Sequence, residues 1–127
     1  MASTFSTVAS FTDATEGKVT QYTTTSTTGG DYVQVVRMQV GFAAEESIAI
    51  HADITGGNGP GYVIVKNHDA TNFLKFGTVT TVYFAELDPG DGTETMLIPI
   101  ARGATSLFVR ADTGNVDATF EIHERGA

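Results

Sequence analysis

Tyr62-Val63-Ile64-Val65-Lys66-Asn67-His68-Asp69-Ala70-Thr71-Asn72-Phe73 is the stretch that decides the fold. A β-branched and aromatic run ends in one basic residue, breaks in Asn, Asp and Thr, and resumes on an aromatic. Short polar side chains there bond their own backbone and tolerate left-handed conformations, so the stretch predicts a strand, a reversal and a second strand. The pattern returns at Leu107-Phe108-Val109-Arg110-Ala111-Asp112-Thr113-Gly114-Asn115-Val116-Asp117-Ala118. Neither copy holds a nucleophile–base pair or a metal-ligand set. Both describe β-structure and leave the job of the protein open.

The same reading extends in both directions. Tyr32, Gln34, Val36, Met38, Val40 and Phe42 alternate cleanly and share one strand face. Ser47 to Asp53 repeats the alternation, with Ile48, Ile50, Ala52 and Ile54 expected inward and Ala49, His51 and Asp53 outward. Between these segments, Ala43-Ala44-Glu45-Glu46 allows one helical turn, too short to nucleate a helix. Further short strands are expected at Tyr62–Lys66, Phe73–Phe76, Val82–Leu87, Thr95–Ile100, Leu107–Arg110 and Ala118–Glu124. In the last, Val116, Ala118, Phe120 and Ile122 face in. Eight or nine short strands with frequent turn signals predict an all-β, two-sheet antiparallel β-sandwich of jelly-roll type. Pro99 cannot donate to a ladder, which places its strand at a sheet edge or a bulge.

Residues 1–17 are rich in Ser and Thr, with Phe5, Val8 and Phe11 spaced by three. That spacing fits neither a clean strand nor a clean helix, and reads as an N-terminal arm or as an edge strand. Residues 18–127 are expected to form a single sandwich domain. Gly56-Gly57-Asn58-Gly59-Pro60-Gly61 is the strongest breaker and is expected to be a loop.

Composition bounds the function. A chain of 127 residues buries enough surface for a core of its own, and it has no Cys to staple one. Twenty Thr and fourteen Gly suit half-exposed strands and tight turns. Fifteen acidic against seven basic residues give a net charge of −8, and the basic ones are scattered singly. Phosphate recognition needs clustered cations, so neither nucleic acid nor an anionic membrane is an expected partner. No signal peptide or membrane span is read, and synthesis in the cytosol as a soluble chain is the expectation.

The candidate chemistry is thin. His51, His68 and His123 read as surface histidines rather than zinc ligands. Asp88-Pro89-Gly90-Asp91-Gly92-Thr93-Glu94 has oxygen ligands around glycines, yet is too short for a calcium loop, and its Pro-Gly and Asp-Gly pairs read as a hairpin turn. No Gly-x-Ser-x-Gly elbow or phosphate loop occurs, and no acid pair is singled out. No metal, cofactor or catalysis is expected.

In the second half, Asn67-His68-Asp69-Ala70-Thr71-Asn72-Phe73, then Leu87-Asp88-Pro89-Gly90, then Ala111-Asp112-Thr113-Gly114-Asn115-Val116-Asp117, and a closing Phe120-Glu121-Ile122-His123-Glu124 follow one another. Over residues 62–124 this series resembles small virion structural proteins of tailed bacteriophages; Gly92-Thr93-Glu94 departs from the acidic-aromatic sequence that follows Pro-Gly in that group. The resemblance implies a capsid decoration (cement) protein that binds and stabilises the shell of major capsid proteins. A neck, tail or fibre component is the alternative within the virion. The location implied is the virion, and the partners are the major capsid protein or other virion subunits, with a homo-oligomer, in particular a trimer, expected. Phe5, Val8, Phe11, Phe73, Tyr83 and Phe108 are the expected contact residues. A carbohydrate-binding β-sandwich, stacking sugars on Phe73, Tyr83 or Phe108, is the alternative from another class.

Overall fold

Alternation of apolar and polar residues has one cheap solution, a strand with one face in a core, and the described residues form nine strands. The computed structural model describes residues 3–12, 19–89 and 94–126, with side chains for 32–89 and 95–126. Its strands are β1 (Ser3–Thr12), β2 (Val19–Val40), β3 (Glu46–Ala49), β4 (Pro60–Asn67), β5 (Leu74–Gly77), β6 (Ala85–Leu87), β7 (Glu94–Pro99), β8 (Ser106–Ala111) and β9 (Val116–Arg125). One helical turn, α1 (Ala52–Thr55), interrupts them. The strands form a five-stranded sheet in the order β1-β2-β9-β4-β7 and a four-stranded sheet in the order β3-β8-β5-β6. All described pairings are antiparallel, and the protein is an all-β two-sheet sandwich.

The core lies between the sheets. Val40, Val63, Val65, Val116, Ala118, Phe120 and Ile122 come from the larger sheet, and Ile48, Leu74, Phe76, Leu87, Leu107 and Val109 from the smaller. Each fully buried large side chain stabilises the fold by roughly 2 kcal/mol. β9 runs buried and half-buried in strict alternation along its ten residues, with Val116, Ala118, Phe120 and Ile122 inward as the sequence predicts. β7, which carries Pro99, is an edge strand.

The polar turns at 68–73 and 112–115 join strand to strand as expected, and each carries the chain from one sheet to the other: β4 and β5 lie in different sheets, and so do β8 and β9. Two expectations need correction. Asp88–Glu94 is not a hairpin, since β6 and β7 also belong to opposite sheets; residues 90–93 themselves lie outside the described residues. Short polar residues signal a change of direction, and the inward faces of both neighbours require that change to cross the core. Finally, the alternation does not continue through Ile54. His51 accepts a hydrogen bond from the Asp53 amide and caps α1, and Gly56 ends it. Ile54 is buried, but Ala52 is exposed.

β2 belongs to two structures. Its residues 29–40 pair with β9, while 19–29 pair with β1, from Ser3 opposite Gly29 to Thr12 opposite Val19. β9 stops at Arg125, opposite Gly29. β1 and the first half of β2 therefore form a two-stranded ribbon that continues the larger sheet past the end of β9.

Candidate interaction surface

The hydrophobic residues that the fold leaves uncovered are the first guide to function. On the smaller sheet they gather at one place: Val79 is 57 % exposed, Val82 56 %, Phe84 47 % and Phe42 44 %. Val79 and Val82 bracket a two-residue turn, with the Val82 amide donating to the Val79 carbonyl at 3.0 Å. Thr81 holds φ at 59°, a left-handed conformation unfavourable for a β-branched residue. At Gly77 a Cβ would collide with the Val82 carbonyl oxygen, so only glycine lets the turn fold back so closely.

What holds this strained turn is Glu45, thirty-odd residues upstream. Its carboxylate accepts from the Thr80 hydroxyl at 2.7 Å, the Thr81 amide at 2.8 Å and the Tyr83 hydroxyl at 2.5 Å. The bonds from Tyr83 and then Thr80 hold the Glu45 carboxyl below the usual glutamate range. Burial first, and then the bond to Glu45, push the Tyr83 phenol up. Arg110, beside both groups, donates from Nε to the Phe42 carbonyl at 3.1 Å. On the other side, Phe84 packs edge-on against buried Phe76, with ring centroids 5.7 Å apart. The apolar tip is thus fastened at both ends to the sandwich.

A 360 Å³ groove lined by Lys75, Tyr83, Phe84, Ala85 and Glu86 runs beside the tip. Lys75 lies opposite Glu86 and Arg110 in the ladders and is 3.6 Å from Asp112. A second groove, of 280 Å³, opens where the inner face of β2 outruns the core, between Tyr32 and Gln34 on one side and His51, Asp53 and Ile54 on the other. Gln34 spans it, accepting from the His51 amide at 2.7 Å and donating to the Ala49 carbonyl at 3.0 Å.

Of the sequence-derived contact residues, Tyr83 and Phe108 both lie beside Gly77, and Phe73 sits at the crossing turns. Tyr83 belongs to the Glu45 clamp, and Phe108 is half-buried on the outer side of the same sheet, opposite Ser47 and Gly77. Phe73 is half-buried, and its carbonyl takes the Asp112 amide, which ties the two crossing turns together. Phe5, Val8 and Phe11 lie on β1, where their side chains are outside the described residues; the register sets Phe5 opposite Ser26, Val8 opposite Thr23 and Phe11 opposite Thr20. The histidines are dispersed: His51 caps α1, His68 bonds Thr119 at 2.8 Å, and His123 bonds Glu121 at 2.5 Å.

Sequence reasoning missed Glu45, Val79, Val82 and Phe84. Val79-Thr80-Thr81-Val82 contains no Gly, Pro, Asn or Asp, so nothing in it announces a turn. Its one signal is Gly77, two residues ahead. Comparison with protein-family models, with characterised proteins and with solved structures gives no match for this chain.

Proposed function

We propose that the protein is a structural component of a bacteriophage virion, a capsid decoration protein that binds the shell of major capsid proteins and stabilises it. The observation that carries this reading is the Glu45-clamped tip. An apolar protrusion formed by Val79, Val82 and Phe84, held rigid before any partner arrives, is what a protein needs if its work is adhesion. Such a tip loses little conformational freedom on docking, so more of its buried area becomes affinity. The strand orders β2-β9-β4-β7 and β3-β8-β5-β6, with nearly every connection crossing between sheets, support the jelly-roll reading of the sandwich. That architecture is common among capsid domains.

The test is particle stoichiometry. Purified virions are expected to carry this chain in fixed, high proportion to the major capsid protein on a quantitative gel. Val79→Lys combined with Val82→Lys, both at side chains more than half exposed, is expected to strip it from the shell while the isolated protein keeps its melting temperature. A few copies per particle would assign it to the neck, tail or fibre. A carbohydrate-binding module is the second reading, favoured by the groove where exposed Tyr32 faces His51 and Asp53. Saturable glycan binding lost in Tyr32→Ala, with no copies on particles, would replace the first reading with the second.

A further inference from the structure

The ribbon of β1 and residues 19–28 of β2 is the part of the molecule with least to hold it. Among the described residues no strand lies beyond β1, and none lies along the other edge of 19–28, because β9 ends opposite Gly29. A lone two-stranded ribbon is marginally stable at best in water. Its open edges present rows of unpaired N–H and C=O groups, a template for another strand. Proteins that keep such edges apart blunt them with charge or proline. Here there is neither: residues 3–12 and 19–28 contain no charged residue and no Pro, and thirteen of these twenty are Ser or Thr. In the first thirty residues, charge is confined to Asp13, Glu16 and Lys18, between the two strands.

We propose that the ribbon is a self-assembly edge, along which a strand of one copy pairs with the ribbon of a second copy of this chain. The two open edges match in length and in chemistry, so each copy carries the complement of the other. Charge also selects a second copy joined in this way. The molecule carries −8, nearly all of it from Asp31 onward, so the sandwich bodies repel one another. An uncharged ribbon whose outer strand, β1, has ten residues reaches about 33 Å, several times the Debye length of about 8 Å at physiological salt, and joins copies while their bodies stay apart. Asp31 ends the uncharged run where the ribbon meets the sandwich, and beyond it Val33 and Val35 on the outer face of β2, opposite His123 and Glu121, are 50 % and 61 % exposed. The inference is independent of the virion reading, which concerns the opposite sheet.

The purified full chain tests it. Sedimentation velocity is expected to give a mass of two or three copies, with amides of 3–12 and 19–28 protected from hydrogen exchange at high concentration and losing protection on dilution. Val8→Lys, which places like charges along the edge, is expected to give single copies with the sandwich melting temperature retained. Val35→Lys is expected to weaken association less. A single-copy mass at every concentration overturns the proposal, as does an oligomer that survives Val8→Lys or is abolished by Val35→Lys alone. Should Val8→Lys disturb folding, concentration-dependent protection of the ribbon amides in the unaltered chain decides the matter: its presence supports the ribbon edge, its absence refutes it.

Discussion

Asn67 and Glu45 perform the same local task in opposite surroundings. Each gathers the hydrogen-bonding groups of a turn onto one side chain, backbone groups at Asn67 and one amide with two hydroxyls at Glu45. Asn67 is fully buried: its carboxamide donates to the Asn72 carbonyl at 3.0 Å and the Leu87 carbonyl at 3.3 Å, and accepts from the Asp69 amide at 2.8 Å. Asp69 carries the network onward to the amides of Thr71 and Asn72, and Asn72 meets Thr113 on the neighbouring crossing turn. Glu45 does this at the surface with an ionised group, and what it organises points outward. A neutral amide suits the interior because it has donor and acceptor without the desolvation penalty of a charge. A carboxylate suits the rim, where water shares its solvation. The buried hub braces the fold; the exposed one presents a surface.

That contrast is sharpest at Asn67. Asn67→Ala leaves the Asp69 amide and two carbonyls without their partner in a closed space, and unsatisfied buried groups cost about 1–3 kcal/mol each. The expected loss is about 3 kcal/mol, a fall in melting temperature on the order of 10 °C for a chain of this size. Asn67→Asp should be worse near neutral pH, because a buried carboxylate would face two carbonyl oxygens. Partial recovery on acidification, followed by calorimetry, is the mark of an electrostatic cause; equal stability of wild type and Asn67→Ala would remove the hub from the account of the fold.

Gly77→Ala comes next in size. The added methyl meets the Val82 carbonyl, so the tip must open while the core strands stay paired. A moderate drop in melting temperature is expected, with faster hydrogen exchange concentrated at the Val82 amide. If exchange rises uniformly instead, the tip is not a separate unit.

Glu45 should be felt in conformation more than in stability. Its carboxyl titrates below the ordinary glutamate value in the folded protein, so the clamp contributes fully above that ordinary value and is lost as pH falls through the lower folded one. The Tyr83 phenol is raised, so its share is complete below the ordinary tyrosine value and disappears as pH rises through the raised one. Glu45→Gln is expected to abolish the acid limb of the Thr81 amide exchange profile while leaving the melting temperature nearly unchanged. A profile with the same limb in both proteins would place the titration elsewhere.

The two hubs also mark how far the sequence could be read. Alternation settled β9, where a face buried along ten residues leaves a period-2 record, and the second half of β2 from Tyr32 onward; Gly29-Gly30, which composition marks as a turn, instead lies inside the continuous strand Val19–Val40. Pro99 located a sheet edge for an equally local reason. The partners of Asn67 within 68–73 were legible as turn chemistry, but which sheet the turn leads to depends on the packing of both strands and is written in no single residue. Ala52–Thr55 was misread because four residues are too few to separate a strand from a helical turn once a capping His and a following Gly compete. Glu45 was invisible: its bonds to Thr80, Thr81 and Tyr83 join distant loops, and no short-range pattern encodes a contact made only when two loops meet at a rim.

The smallest effect expected is at an exposed ion pair on the outer face of the larger sheet. Arg37 sits 2.8 Å from Asp117, and this partner holds the guanidinium up and the carboxyl down. Both side chains are largely exposed, and such pairs gain little because water screens them and ordering two long side chains opposes the gain. Unlike Glu45, Asp117 holds no strained turn in place; it joins two strands that the ladder already pairs through Val36–Phe120 and Met38–Ala118. Arg37→Met should therefore leave the melting temperature within replicate scatter and independent of salt. A clear, salt-sensitive loss would mean that surface charge stabilises this sheet directly, and the line drawn between hubs that build the fold and hubs that display a surface would have to be redrawn.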